Sequence, residues 1–255
     1  MSYAAKTVFA FGCYILALGA SLVLFPNPVL GLLRMPPTTE VWIRVAGLVL
    51  LNLGANDLVA SRSELRPYMT WSVPLRALVI VFFGTFVLVG LARPGLWLLG
   101  ILDLAGALWT WSALRRESLG QWSAPGGARM SYPAKTVFVF GCLTVALAAG
   151  FVLIPNRVLG LLLLPPTMEV WIRVAGVPML VLGASALIAG RSELRPYITW
   201  SVPLRASGFL VLGAFVLAGL AQPGLWILGV INLAGALWTW SALRSGSQRP
   251  AAHAA

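Results

Sequence analysis

Eight long apolar stretches divide this 255-residue chain and restrict its fold more than any other feature. Each stretch is about 18 to 24 residues long, and about 20 apolar residues in a helix cross the ~30 Å hydrocarbon core of a bilayer. Only 10% of the residues are charged, whereas a soluble domain usually has ~25%. The sequence therefore predicts an all-α membrane protein with eight transmembrane helices. The first stretch lacks a clear small-residue cleavage site, which favours a retained helix over a signal peptide.

A tandem repeat is the second constraining feature. Residues 1–115 align with residues 130–244 without a gap, and 80 of the 115 aligned positions are identical. A stretch rich in Gly, Ser and Pro separates the two copies and is typical of a linker. We therefore predict four segments: a four-helix membrane unit at 1–116, a cytoplasmic linker at 117–129, a second four-helix membrane unit at 130–245 and a disordered tail at 246–255.

Proline and capping residues indicate where the helices of each copy begin and end. Copy one is predicted to have helices at about 6–25, 39–60, 68–91 and 95–114, with Thr38 as a candidate N-cap for the second. The connection between the third and fourth is so short that they must form an antiparallel hairpin. Since four crossings return the chain to its starting side, we predict that the copies are parallel and related by a pseudo-twofold axis along the membrane normal.

The distribution of basic residues predicts the orientation of the protein in the membrane. By this helix assignment, 13 Lys and Arg residues lie on the side of the termini and five lie on the other side. Cytoplasmic loops carry an excess of basic residues, so we predict a bacterial inner-membrane protein with both termini in the cytoplasm. The net charge of +11 then reflects this orientation, and no nucleic-acid partner is expected. Ten of the eleven tryptophans fall near predicted helix ends, which is typical of interfacial belts.

The motif PPTxEVWIRVAG occurs once in each copy and contains an acid and an arginine four residues apart. Glu40 and Arg44 in copy one, and Glu169 and Arg173 in copy two, have the spacing and order that favour an ion pair on one helix face. One interpretation is a helix start with a local ion pair. The alternative is that the two arginines line an outward-facing pocket for an anion or a lipid head group.

Two ionisable residues are predicted to lie deep in the membrane, where each needs a partner or a purpose. Arg76 in the third helix and Asp103 in the fourth have similar predicted depths, so we expect them to pair. Copy two retains Arg205 but has Asn232 in place of the acid. If the carboxylate carries protons or ions, only copy one can do so. If it only joins helices, an Asn amide can bond the arginine instead.

The second helix of copy one carries further polar and small residues. Asn52, Asn56 and Asp57 form a polar strip that copy two replaces with apolar or smaller residues. Any polar cavity is therefore expected to be lopsided towards copy one. Gly47 and Gly54 lie seven residues apart on one helix face, a spacing that lets helices approach closely.

The sequence offers no motif for enzyme chemistry. It has no metal-ligand cluster, no nucleophile paired with a histidine base and no phosphate-binding glycine loop, so no catalytic residue, metal or cofactor is predicted. We expect a binding, scaffolding or accessory membrane protein whose intramembrane charges pair helices or hold a lipid or an anion. Two alternatives stay open: a small-solute or proton-coupled transporter or channel, and a membrane enzyme or redox accessory acting on a lipid or quinone. The expected partners are membrane lipids, and another membrane subunit or a second copy of the chain.

Two repeated motifs carry a resemblance to known proteins. With PPTxEVWIRVAG and the closing DLAGALWTWSALR, each copy resembles, end to end, the small bacterial four-helix integral membrane proteins. This resemblance implies a four-helix membrane unit and no particular activity. A looser likeness to DoxX-type membrane proteins rests on helix number and length, and by analogy it implies a redox accessory role.

Overall fold

The computed structural model of the chain describes residues 1–117 and 130–247, which form ten helices and no strand. Copy one contains α1 (Tyr3–Leu24), α2 (Pro26–Leu32), α3 (Trp42–Arg62), α4 (Arg66–Leu88) and α5 (Leu96–Glu117). Copy two contains α6 (Tyr132–Leu153), α7 (Pro155–Leu161), α8 (Trp171–Arg191), α9 (Arg195–Leu217) and α10 (Leu225–Ser247). The predicted all-α fold is confirmed. The predicted linker after Glu117 and the chain beyond residue 247 lie outside the described residues.

Eight of these helices are long and apolar enough to cross a bilayer. They contain 21 to 23 residues, and many of their large apolar side chains are exposed on the outside of the bundle. Exposed apolar side chains on α1, α4, α5, α6, α9 and α10 suit a lipid environment and not water, whereas α3 and α8 lie inside the bundle. The chain is therefore a polytopic membrane protein.

The short helices α2 and α7 are elements that the sequence analysis missed. The prolines after α1 predict a helix stop, and α1 does end there, because Phe25 has non-helical backbone angles with φ −133° and ψ 60°. Pro26 then occupies the first position of a new helix, where its missing N–H and fixed φ cost nothing. Ile154 and Pro155 repeat this break between α6 and α7.

The second long helix begins later than predicted, so the assignment of Thr38 as its N-cap is wrong. Helix α3 starts at Trp42, with Val41 as the capping residue and no side-chain cap. Thr38 lies in the preceding loop, where its hydroxyl accepts a hydrogen bond from the Glu40 backbone N–H at 3.0 Å and donates one to Glu169 of the other copy. The Thr38 hydroxyl, which the sequence suggested as a local helix cap, therefore forms a contact between the two copies.

Close packing of α1 against α3 confirms the prediction from the spaced glycines. A Cβ atom on Gly47 would lie 2.7 Å from the Gly19 carbonyl oxygen, and one on Gly54 would lie 2.8 Å from the Gly12 carbonyl oxygen. Only residues without a side chain allow this approach. Helices α6 and α8 pack in the same way in copy two, and α4–α5 and α9–α10 form the predicted hairpins.

Contacts between the copies join equivalent ends of the two units. At the end where α4 and α9 begin, the Tyr68 and Tyr197 rings lie 5.9 Å apart. We call this end the terminal face, because the Ser2 backbone N–H donates to the Glu64 carboxylate there at 2.8 Å. At the other end, the far face, the Trp42 ring meets the Phe151 ring edge-on at 5.2 Å. The copies therefore run in the same direction, while the pseudo-twofold axis stays a prediction.

The tryptophans near helix ends include buried ones as well as exposed ones. Trp42 and Trp171 are only 5% and 4% exposed and belong to the apolar core that both copies share. Their assignment to an interfacial belt is therefore wrong. Six tryptophans towards the terminal face are at least 40% exposed, as a belt requires: Trp71, Trp109, Trp111, Trp200, Trp238 and Trp240.

Candidate ligand-binding cavities inside the bundle

Two cavities lie inside the bundle, and each is built mainly by one copy. Cavity one is lined by α1, α3, α4 and α5 of copy one and is closed on one side by α8 of copy two. Cavity two is lined by α6, α8, α9 and α10 of copy two and is closed by α3 of copy one. Their volumes, including the open mouths, are about 880 Å³ and 950 Å³. Both walls are mostly apolar, and each cavity has a few polar residues around a buried arginine.

The arginine of cavity one is paired with Asp57. Arg76 Nη2 donates to Asp57 Oδ2 at 3.0 Å, and both side chains are at least 93% buried. Tyr68 donates its hydroxyl proton to the other carboxylate oxygen at 2.9 Å. The guanidinium also lies 3.9 Å above the Phe11 ring and donates to the Thr110 hydroxyl at 3.5 Å. Its charge is thus balanced by one acid from the neighbouring helix.

The predicted Arg76–Asp103 pair is wrong, although both residues line the same cavity. Similar depths along two helices do not determine which side chains face each other. In the folded bundle, Asp57 of α3 lies next to the Arg76 guanidinium and pairs with it. Asp103 is half-buried, and within the described chain it has no hydrogen bond and no ion pair. Cavity one therefore contains a carboxylate that no side chain neutralises directly, next to an ion pair.

Cavity two has the equivalent arginine without an acid. Arg205 is 7% exposed, donates to the Thr239 hydroxyl at 3.1 Å and to the Gly235 carbonyl at 3.3 Å, and lies 3.9 Å above the Phe140 ring. All seven acidic side chains of the chain are in the described residues, and none is within ion-pair distance of this guanidinium. The expected Asn232–Arg205 hydrogen bond is absent from the described residues, and Asn232 donates its amide N–H to the Leu228 carbonyl at 2.9 Å.

The polar strip of α3 serves both cavities, so the predicted bias towards copy one is wrong. Asp57 faces cavity one, whereas Asn52 and Asn56 line cavity two. Adjacent residues of a helix lie about 100° apart around its axis, so Asn56 and Asp57 of this central helix face different copies, and the sequence gives no means of assigning those faces. The Asn52 amide donates to the Leu48 carbonyl. Asn56 is 3% exposed, and its Oδ1 atom has no hydrogen-bond partner among the described residues.

The acids and arginines of the PPTxEVWIRVAG motif are held separately, so the predicted ion pairs within each copy are wrong. Glu40 accepts a hydrogen bond from the Thr167 hydroxyl of copy two, just as Glu169 accepts one from Thr38 of copy one. Because α3 and α8 begin after the acids, the four-residue helical spacing does not apply to them. Arg44 donates to the Val23 backbone carbonyl near the end of α1. Arg173 donates to the equivalent Val152 carbonyl in copy two.

Glu40 lines a shallow groove on the far face, outside the membrane-spanning segments. Burial raises the pKa of its carboxyl above the usual value of 4.5; the Thr167 hydrogen bond lowers it and the nearby Glu169 charge raises it. Its Oε2 atom is buried without a hydrogen bond among the described residues. The groove is therefore an acidic contact between the copies. Arg44 and Arg173 of the same motif do not line it.

The polar groups of the two cavities differ in charge. With every side chain in its usual ionised form, cavity one contains Asp57, Asp103 and Arg76, while cavity two contains Arg205 and neutral amides and hydroxyls. Among the described residues, no group of three or more His, Cys, Asp or Glu residues could hold a metal ion. The arrangement can bind the polar end of an amphipathic molecule, and Asp103 can accept or release a proton.

Sequence reasoning missed the two tyrosines that line the cavities. Tyr68 and Tyr197 are both buried, and each is part of the repeated RSELRPY stretch. The stretch begins as a basic loop and continues into α4 and α9, so its tyrosines fall in the first turn of these helices and face inward. A hydroxyl kept in both copies, eight residues before a buried arginine, was the available signal.

Comparisons with protein families, with curated proteins and with solved structures gave no match to this chain.

Proposed function

We propose that this protein is a non-catalytic membrane protein that holds amphipathic, lipid-like molecules in the two cavities inside its bundle. The observation that supports this function is the construction of the cavities, in which apolar walls surround a few polar groups beside a buried arginine. Ligand pockets are commonly lined by apolar side chains with a few placed polar groups, and both cavities have this mixture. An amphipathic molecule places its chain along the walls and its head at the arginine.

Cavity-filling variants test this function. Gly208 lines cavity two, and a Cβ atom there would meet only Asn232, at ordinary contact distances of 3.5 Å and more. Gly208→Phe therefore fills cavity two, and Val79→Phe at the equivalent position fills cavity one. We expect mass spectrometry of the purified protein to show bound amphiphiles that each variant reduces. Gly31→Leu, at a site with open space around it, should leave them unchanged; amphiphiles retained in both filled variants would refute the proposal.

A second candidate function is proton-coupled transport, and the unpaired Asp103 carboxylate favours it. Ionisable residues in membrane spans that face a cavity are common in proton relays. If Asp103 carries the proton, Asp103→Asn should abolish substrate-dependent proton flux in proteoliposomes and leave ligand binding in cavity two intact. Flux that persists in this variant would eliminate the relay.

We also propose a bacterial inner-membrane location with the terminal face in the cytoplasm, supported by the excess of basic residues on that face. In a chain with Cys13 and Cys142 replaced by serine, an impermeant maleimide should label Gly160→Cys in intact cells. It should label Ser63→Cys only after the cells are permeabilised, and the reverse pattern would invert the topology. Membrane lipids, and a second membrane subunit or a further copy of this chain, are the partners that this location supports.

A further inference from the structure

Cavity two retains the side chains that hold a carboxylate in cavity one. In copy one, the Asp57 carboxylate joins the Tyr68 hydroxyl at 2.9 Å to the Arg76 guanidinium at 3.0 Å. The equivalent residues in copy two are Tyr197 and Arg205, and both line cavity two. The position equivalent to the acid is an alanine, so the tyrosine and the arginine have no protein carboxylate to share.

The surroundings of the two arginines otherwise match closely. Arg76 lies over Phe11, and Arg205 lies over Phe140, each at 3.9 Å from the ring centroid. Both guanidinium groups also donate to a threonine on the last long helix of their own copy. The same aromatic ring and threonine therefore position each guanidinium, and the acid that pairs with Arg76 has no counterpart at Arg205.

Polar atoms without protein partners line cavity two. Tyr197 is 2% exposed, and its hydroxyl makes no hydrogen bond within the described chain. Asn56, 3% exposed, also lines the cavity, and its Oδ1 atom has no partner among the described residues. Buried polar atoms almost always have a hydrogen-bond partner, and an unpaired arginine in a membrane span is costly. The Tyr197 hydroxyl and the Arg205 guanidinium are donors without an acidic acceptor in the described part of the chain, and they indicate a negatively charged ligand. The Asn56 Oδ1 atom needs a donor and does not contribute to this assignment.

We propose that cavity two binds a fatty acid, with its carboxylate between Tyr197 and Arg205 at the place that Asp57 occupies in copy one. This assignment rests on the proposed function and gives the chemical class of one ligand. Ala186, the residue equivalent to the acid, lines the cavity with only a methyl group and leaves the tyrosine and the arginine to an outside carboxylate. The acyl chain lies along the apolar side chains of the cavity wall, among them Leu143, Leu147 and Leu212.

Installing the missing acid provides the sharpest test. Ala186→Asp recreates in copy two the arrangement that copy one already contains, so the variant has a folded precedent in the same chain. In nanodiscs of neutral phosphatidylcholine, wild-type protein should bind one equivalent of carboxyl-¹³C palmitate, detected by carbon NMR. Ala186→Asp should weaken this binding at least roughly tenfold, because its own carboxylate takes the Tyr197 and Arg205 donors. Undiminished binding in a folded variant would overturn the proposal.

A pair of tyrosine variants provides the matched control and does not depend on Ala186→Asp. Tyr197→Phe removes one donor to a charged group and should weaken palmitate binding roughly tenfold. Tyr68→Phe, at the equivalent position in cavity one, should leave palmitate affinity unchanged, because its partner there is Asp57. Equal effects of the two variants would place the fatty acid elsewhere and refute the site.

A lipid arm separates the carboxylate assignment from the broader proposed function. Phosphatidylglycerol carries its negative charge on a phosphodiester, which is larger than the Asp57 carboxylate that fills the equivalent place in copy one. It should therefore not displace palmitate from cavity two. If it binds at Arg205 and palmitate does not, the carboxylate assignment fails and amphiphile binding stands. If neither probe binds and no amphiphile copurifies, both proposals fail.

Discussion

At the scale of single residues, the two copies solve one electrostatic problem differently. Each buries an arginine within a membrane span, where a charge needs compensation. Arg76 has Asp57 as a partner, whereas Arg205 has only a hydroxyl, a carbonyl and an aromatic face among the described residues. A single exchange of aspartate for alanine therefore leaves Arg205 without the acid that Arg76 has. The difference in ligand that we propose for the two copies rests on that exchange.

Removing the Asp57 carboxylate should destabilise the protein strongly. In Asp57→Ala the buried Arg76 loses its ion pair and Tyr68 loses its acceptor. Breaking a buried pair from one side costs about 3–5 kcal/mol, so the thermal unfolding temperature should fall well below that of wild type. Asp103→Asn is the control, since this carboxylate makes no ion pair in the described chain, and it should unfold close to wild type. An equal loss in both variants would contradict the assigned pair.

Neutralising Glu40 should stabilise the protein, and more so as the pH rises. Because burial raises the pKa of this carboxyl, the folded state binds its proton more tightly than the unfolded state does. The resulting stability is present below the usual value of 4.5 and is lost as the pH rises through the higher folded value. Glu40→Gln should therefore unfold at a higher temperature than wild type, and this difference should grow as the pH rises from about 4 to about 8 through the ordinary carboxyl pKa and above it. A constant or shrinking difference would show that the carboxylate is well solvated.

At the scale of helices, glycine contacts fix the distance between α1 and α3. Gly47 and Gly19 bring their backbones together so closely that no Cβ atom fits at either position. This approach holds α3 in the centre of the bundle, where it forms a wall of both cavities. A second tight point lies at Gly95, where a Cβ atom would overlap the Leu33 carbonyl oxygen. The positions of the helices thus depend on a few residues that have no side chain.

Adding a methyl group at Gly47 should therefore cost stability. The new Cβ atom of Gly47→Ala would be 2.7 Å from the Gly19 carbonyl oxygen and 3.0 Å from Leu22 Cβ, and such overpacking typically costs about 1–3 kcal/mol. We expect a lower unfolding temperature and weaker ligand retention, because α3 must shift. Gly31→Ala adds the same methyl group in open space and improves helix propensity, so it should not lose stability; a comparable loss there would contradict the packing explanation.

At the scale of the whole molecule, the two copies form one structure. Each cavity needs a wall from the other copy, and the buried apolar cluster on the far face draws on both. Thr38–Glu169 and Thr167–Glu40 hydrogen bonds join them at the far face. The two copies are therefore joined by non-covalent contacts among the described residues at the far face and along both cavities.

Cutting the covalent link between the copies should leave the bundle intact. A protease site placed between residues 118 and 129 allows the purified protein to be cleaved into its two four-helix halves. We expect an affinity tag on one half to retain the other half in detergent, with bound amphiphile still present, because the interface and both cavity walls survive cleavage. Halves that separate on size-exclusion chromatography would show that the linker is required.

The sequence by itself determined the spans, the repeat and the short hairpins, because hydropathy, identity and loop length are local properties of the chain. It also marked Arg76, Arg205 and Asp57 as residues that need an explanation. Only the tertiary structure decided which groups meet. The direction in which a side chain points around a helix axis depends on packing, so Arg76 pairs with Asp57 and not with Asp103. For the same reason Asn56, on a helix of copy one, lines the cavity of copy two.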